Sequence, residues 1–228
     1  MNYFENKTVV VVGATGVLGE LMAHGLRKQG ADVRLIVRQP DLLAVTLSDL
    51  PFSVADITRR SELEAALMAV SSGQAVDGIV NCTGVVAFGG FSDLSTEVAQ
   101  ELMAVNALGV MNLISLAPAN LNPESFLASF TGVAADMAIT GMGAYCASKA
   151  AAKTALSVAT RELRREKIRV LDIRAPHTET GLVDRALEGM PPKMAEGLQP
   201  QAVIDRVLQA IAQGEKDLPP DAFDAQNS

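Results

Sequence analysis

Along this chain, short runs of β-branched residues alternate with longer stretches in which apolar positions recur every three or four residues. Thr8 to Val12 is a continuous apolar run closed by Gly13, the pattern of a strand buried on both faces. From Val17 to Gln29 apolar residues fall at 18, 21, 22 and 26, with Gly25 between them, which is one face of a helix. Val33 to Val37 predicts a second strand and Phe52 to Val54 a third. Ser61-Glu62-Leu63-Glu64 reads as a capping box that opens a helix with Leu63, Ala66, Leu67 and Val70 on its face. Asp77 to Cys82 predicts a fourth strand, followed by a long helix over Thr96 to Leu116 that Pro118 ends. Phe126 to Phe130 is a fifth strand, Ala144 to Arg165 an Ala-rich helix, and Ile168 to Ile173 a sixth strand. Val203, Ile204, Val207, Leu208 and Ile211 mark a last helix. Strand and helix in strict alternation imply an α/β class: a doubly wound parallel sheet with helices on both faces, in three layers.

Composition narrows the class. At 228 residues, 49% hydrophobic and 20% charged, the chain reads as one globular domain over 1–228. Within it, a short lid is expected at about 178–200 and a loose tail at about 215–228. The net charge of −7 argues against nucleic acid and against anionic membrane surfaces, which both need a positive field. No stretch approaches the ~20 apolar residues of a membrane span. Met1 to Lys7 is polar and carries no signal-peptide pattern. Cys82 and Cys146 make no disulfide framework and read as small buried hydrophobes, so a cytoplasmic setting is expected. His24 and His177 stand far apart, which disfavours a metal site. Tryptophan is absent, which disfavours a base-stacking platform.

The first chemical signal is Gly13-Ala14-Thr15-Gly16-Val17-Leu18-Gly19, between the first strand and the first helix. Glycines permit a tight turn and close backbone approach to a pyrophosphate, and the helix N-terminus offers free amides to it. In a strand–helix–strand setting this reads as the dinucleotide turn of a Rossmann fold; the plainer alternative is a tight structural turn with no ligand. An acid at the end of the second strand would bind the ribose of NAD. Val37 stands there, followed by Arg38, which suits a 2′-phosphate and favours NADP over NAD. The plainer alternative for Arg38 is a solvated surface charge.

The second signal is Tyr145-Cys146-Ala147-Ser148-Lys149, which puts a phenol and an amine on one helix face. An ammonium nearby is expected to lower the phenol's pKa from ~10, so that the pair passes a proton to or from a carbonyl or hydroxyl.

With the glycine turn, Asn81-Cys82-Thr83-Gly84 after the fourth strand and Tyr145 to Lys149 before the sixth, residues 6 to 213 resemble the short-chain dehydrogenase/reductase family. The resemblance implies an oxidoreductase that interconverts a carbonyl and a secondary alcohol. Tyr145 would be the acid/base, and Lys149 would tune it and bind the nicotinamide ribose. Asn106 would help hold a proton-relay water; the alternative is an asparagine that satisfies buried backbone. Asp56, followed by Ile57, would meet the adenine amine, or else only cap a turn. Asn81 and Gly84 would border the adenosine ribose. Pro176 to Thr180 would hold the nicotinamide amide, through Thr178 or Thr180. The resemblance further implies a homodimer made by the two long helices near 96–116 and 145–165.

Four departures stand out. The family's serine, thirteen residues before the tyrosine, is Gly132 here, and Thr131 beside it is the candidate replacement hydroxyl. Cys82 and Thr83 stand where Asn and Ala are usual. His177 replaces a glycine in the nicotinamide loop and reads as a rim residue. No strand is expected after Gly214, where the family usually has a seventh strand with a glycine-rich tail. A second reading follows: a nucleotide-binding sensor or assembly protein weakened in catalysis.

Overall fold

A computed structural model describes residues 2–226. Seven strands form one sheet: β1 (Thr8–Val12), β2 (Asp32–Val37), β3 (Phe52–Val54), β4 (Val76–Asn81), β5 (Leu121–Phe130), β6 (Arg169–Ile173) and β7 (Asp217–Leu218). Their spatial order is β3-β2-β1-β4-β5-β6-β7, and every neighbouring pair is parallel. Parallel neighbours need crossover connections. Helices α1 (Val17–Lys28), α2 (Arg60–Val70), α3 (Thr96–Met103), α4 (Gly109–Asn120), α5 (Gly143–Glu162) and α6 (Pro200–Gln213) supply them, except between β2 and β3, where two 3-10 turns at Pro40–Leu42 and Val45–Leu47 make the connection. A π turn over Ala104–Leu108 joins α3 to α4.

The period-2 direction of strand side chains divides the core into two layers. Val9 and Val11 of β1 pack with Met22 and Leu26 of α1 and Ile204 of α6. Val10 and Val12 face the other way, towards Leu67 of α2, Leu113 of α4 and Leu156 of α5. This is the doubly wound, three-layer α/β/α fold that the alternating pattern predicts. The strand order reverses between β1 and β4, so their carboxyl ends part and open a crevice, the place where such sheets bind ligands.

Several expectations change. A seventh strand does exist: Asp217 and Leu218 pair with Asp172 and Ile173 of β6. Two residues carry too little pattern to be read as a strand. The expected loose tail is likewise packed, with Leu218 and Phe223 buried and Arg206 Nε donating to the Ala222 carbonyl. Residues 227 and 228 of that tail lie outside the described residues. The capping box is absent. Arg59 caps α2 without a side-chain bond, and Ser61 lies inside the first turn. Pro118 does not end its helix. It lies within α4, which runs on to Asn120, where the side-chain amide donates to the Leu116 carbonyl. Finally, the continuous helical run Thr96–Asn120 reaches the length and apolarity of a membrane span, against the sequence expectation. Half of its most apolar window is buried inside the protein, as suits a core helix.

Candidate active site

The crevice begins at the turn after β1. Gly13 has φ +89°, a conformation open to glycine, and its amide donates to the Ile36 carbonyl. A Cβ on Gly19 would lie 2.2 Å from the Gly13 carbonyl oxygen, so turn and helix close on each other only without one. Gly16 caps α1 without a side-chain bond, and the first-turn amides face outwards at the positive end of the helix. Two chambers meet at this turn. The one beneath β2 and β3 is lined by Gly13, Thr15, Gly16, Arg38, Asp56, Ile57 and Gly84. The one towards β5 and β6 is lined by Gly16, Val17, Leu18, Gly84, Tyr145, Lys149, Pro176 and Thr180, with Thr131 on its wall.

In the first chamber Arg38 is half-exposed, and its nearest carboxylate is Glu101, 3.9 Å away. Asp56 is partly committed: one carboxylate oxygen accepts the Thr58 amide at 2.9 Å and its hydroxyl at 2.7 Å. Burial pushes this carboxyl up, but those two bonds and the Arg38 and Arg59 charges outweigh it and hold the pKa below the usual value.

In the second chamber α5 carries Tyr145 and Lys149 one turn apart. Lys149 Nζ lies 5.9 Å from the centre of the Tyr145 ring and donates to the Phe130 carbonyl at 3.1 Å. Burial lowers Lys149 to about 8, against an upward pull from Asp172. Tyr145 does not follow the sequence expectation. Burial, with a smaller contribution from Cys146, raises it to about 12. The ammonium faces a main-chain carbonyl, and desolvation of the phenolate outweighs its attraction.

Three other side chains spend their hydrogen bonds within the protein. Asn106 is buried in the π turn. Its oxygen accepts the Val85 amide, and its nitrogen donates to the Val85 carbonyl and to Ser148 Oγ. Ser148 Oγ in turn donates to the Tyr145 carbonyl at 2.7 Å. With its side chain so engaged, Asn106 braces the turn that carries Tyr145. Asn81 is also buried and lines neither chamber. It joins strand ends, donating to Ser129 Oγ and accepting from Thr83. Thr131, the candidate replacement hydroxyl, donates instead to buried Asp172. Gly132 has φ +75°, where a serine would be strained. Arg174 continues the network beneath Thr131, pairing with Asp172, Asp136 and Asp217.

The sequence reading missed part of the far wall. Cys82 and Thr83 line both chambers, as do Leu182 and Arg185 from the lid. Backbone pairing places the lid residues there: the Leu187 amide donates to the Val86 carbonyl, and the Phe88 amide to the Glu188 carbonyl. No spacing in the sequence signals a contact between segments so far apart.

Comparison with known proteins agrees with this geometry. A family model described as short chain dehydrogenase matches residues 7–190. A dehydrogenase/reductase SDR family protein 7-like from Anopheles gambiae is 26% identical over 95% of this chain and 75% of its own length. A Burkholderia cenocepacia short chain dehydrogenase solved in complex with NADP superposes with a TM-score of 0.82 at 22% identity, covering 100% of this chain and 93% of that one. A Burkholderia phymatum short chain dehydrogenase/reductase solved with NAD gives 0.83 at 20% identity, over 96% and 90%. With the match spanning most of its length and its glycine turn and Tyr–Lys pair in one crevice, the chain belongs to the short-chain dehydrogenase family.

Proposed function

We propose that the chain is an NADP(H)-dependent oxidoreductase that interconverts a carbonyl and a secondary alcohol, with Tyr145 as acid/base. One observation carries the reading: Tyr145 and Lys149 line the same crevice that the glycine turn opens. The residues present fit a dinucleotide. The turn and the α1 amides suit a diphosphate, and Arg38, with Val37 before it in place of an acid, suits a 2′-phosphate and favours NADP over NAD. Relatives of this fold solved with NADP and with NAD are consistent with either cofactor. In the nicotinamide loop Thr178 Oγ1 donates to the Pro176 carbonyl, so Thr180 is the hydroxyl offered to a carboxamide.

When bound, the nicotinamide supplies or accepts the hydride. Tyr145, protonated across the neutral range, gives its proton to the carbonyl oxygen in reduction and takes it back in oxidation. Lys149, charged below about pH 8, stabilises the phenolate as it forms. Asn106, through Ser148, holds the Tyr145 turn in place. Val86, Phe88, Ile139 and Met142 wall the substrate side, so the substrate is an apolar carbonyl or alcohol. The outer faces of α4 and α5 present an apolar groove with Met111, Ile114 and Val158, the surface on which a second copy would pack as a homodimer. A cytoplasmic protein without nucleic-acid or membrane partners completes the reading.

Gly132 and the engaged Thr131 hydroxyl favour a second reading, an NADP-binding sensor or assembly protein with weakened turnover. Tyr145→Phe separates the two. In a ketone-reduction assay kcat should fall by about 10²–10⁴ while NADPH affinity, followed by nicotinamide fluorescence, stays the same. NADPH binding without turnover by the wild type across a broad carbonyl panel supports the sensor reading instead.

A further inference from the structure

Arg185 is the one charged residue that lines both chambers among the described residues. It stands in the lid, across the crevice from the glycine turn, whose Gly16 also lines both. Its hydrogen bonds among the described residues go to main-chain carbonyls, from Nε to Gly181 and from Nη2 to Thr180, each at 3.3 Å. A guanidinium has five donors, so the remaining N–H groups and the whole charge are available to a ligand.

The post that carries Arg185 is fixed. Just beyond it, the Leu187 amide donates to the Val86 carbonyl at 2.8 Å, and the Phe88 amide donates to the Glu188 carbonyl at 2.9 Å. The Ser95 hydroxyl donates to the Glu188 carboxylate at 2.8 Å. These bonds stitch the lid to the segment after β4. The charge pattern points the same way. A chain of net charge −7 lines this crevice with Arg38, Lys149 and Arg185, and the one carboxylate there among the described residues, Asp56, is bonded to Thr58. Arg38 stands at one end and Lys149 at the other, with Arg185 over the junction.

We propose that Arg185 clamps the cofactor's diphosphate from the lid side, opposite the amides of the glycine turn. A forked guanidinium matches phosphate oxygens in a way a single amine does not. This inference rests on the dinucleotide reading above and adds to it a residue outside the turn.

The test measures dissociation constants of NADPH and NADH by nicotinamide fluorescence, and of ADP-ribose and adenosine 2′-phosphate by competition. The proteins are the wild type, Arg185→Ala and Arg185→Lys. Arg185→Ala should weaken NADPH, NADH and ADP-ribose by a common factor of about ten or more, because all three carry the diphosphate. Adenosine 2′-phosphate, which lacks it, should bind as before, and Arg185→Lys should recover part of the loss. Unchanged NADPH and NADH affinity in Arg185→Ala overturns the assignment and leaves the cofactor reading standing. A loss confined to NADPH also overturns it, since that would place Arg185 at the 2′-phosphate. Failure of the wild type to bind either dinucleotide removes both the cofactor reading and this proposal.

Discussion

The two chambers of the crevice are built from different materials. The one beneath β2 and β3 is shaped by main chain: a left-handed Gly13, a bare Gly19 against it, and the open amides of α1. The one beneath β5 and β6 is shaped by side chains held from behind. Lys149 bonds to Phe130, Asn106 to Val85 and Ser148, and Thr131 to Asp172. A site made of backbone leaves its mark in sequence as missing side chains. A site made of side chains depends on which partner each polar group finds, and that is settled only by packing.

The comparison can be broken most severely at the backbone chamber. Gly19→Ala sets a Cβ against a main-chain oxygen that cannot swing aside. It should cost about 3 kcal/mol, measured by urea unfolding, and weaken NADPH binding; near-neutral stability would show that the turn yields easily. The side-chain chamber should respond to pH. Lys149 has a folded-state pKa of about 8, below its ordinary 10.5, so the unfolded chain binds the extra proton between those values. Below that window the folded state bears the cost of a buried charge, and the cost is relieved as pH rises through it. Relative to Lys149→Met, the wild type should therefore gain about 3 kcal/mol of stability across the window. Parallel stability curves for the two proteins would contradict the buried-charge account. The smallest effect is expected at Thr131. Thr131→Val leaves Asp172 short of a donor and should cost about 1 kcal/mol of stability with little change in kcat. A loss of about 10²–10³ in kcat with unchanged stability would instead restore Thr131 as an oxyanion donor.

The same contrast explains what the sequence disclosed. The apolar runs of β1 and β2 are buried on both sides of the sheet, the apolar faces of α1 and α6 pack on one of those sides, and such burial writes long, regular patterns. The glycine turn and the Tyr145–Lys149 spacing are equally local. Asn81 and Thr131 sit where site residues belong in chain order, yet their side chains bond across the strands, to Ser129 and Asp172. Ser61 has the right neighbours for a cap, but α2 begins one residue earlier. Arg185 carries no local signal at all, because the lid reaches the crevice only by pairing with residues a hundred positions away.

The shortest strand has the longest reach. Asp217 of β7 grips Arg174, which grips Asp172, which receives the Thr131 hydroxyl on the wall of the chamber that holds Tyr145 and Lys149. A break near Gly214 would thus be felt far from the cut. It would strip Arg174 of one of its three anions and open the sheet edge beside β6, loosening the Thr131 wall of the chamber while the glycine turn stayed whole.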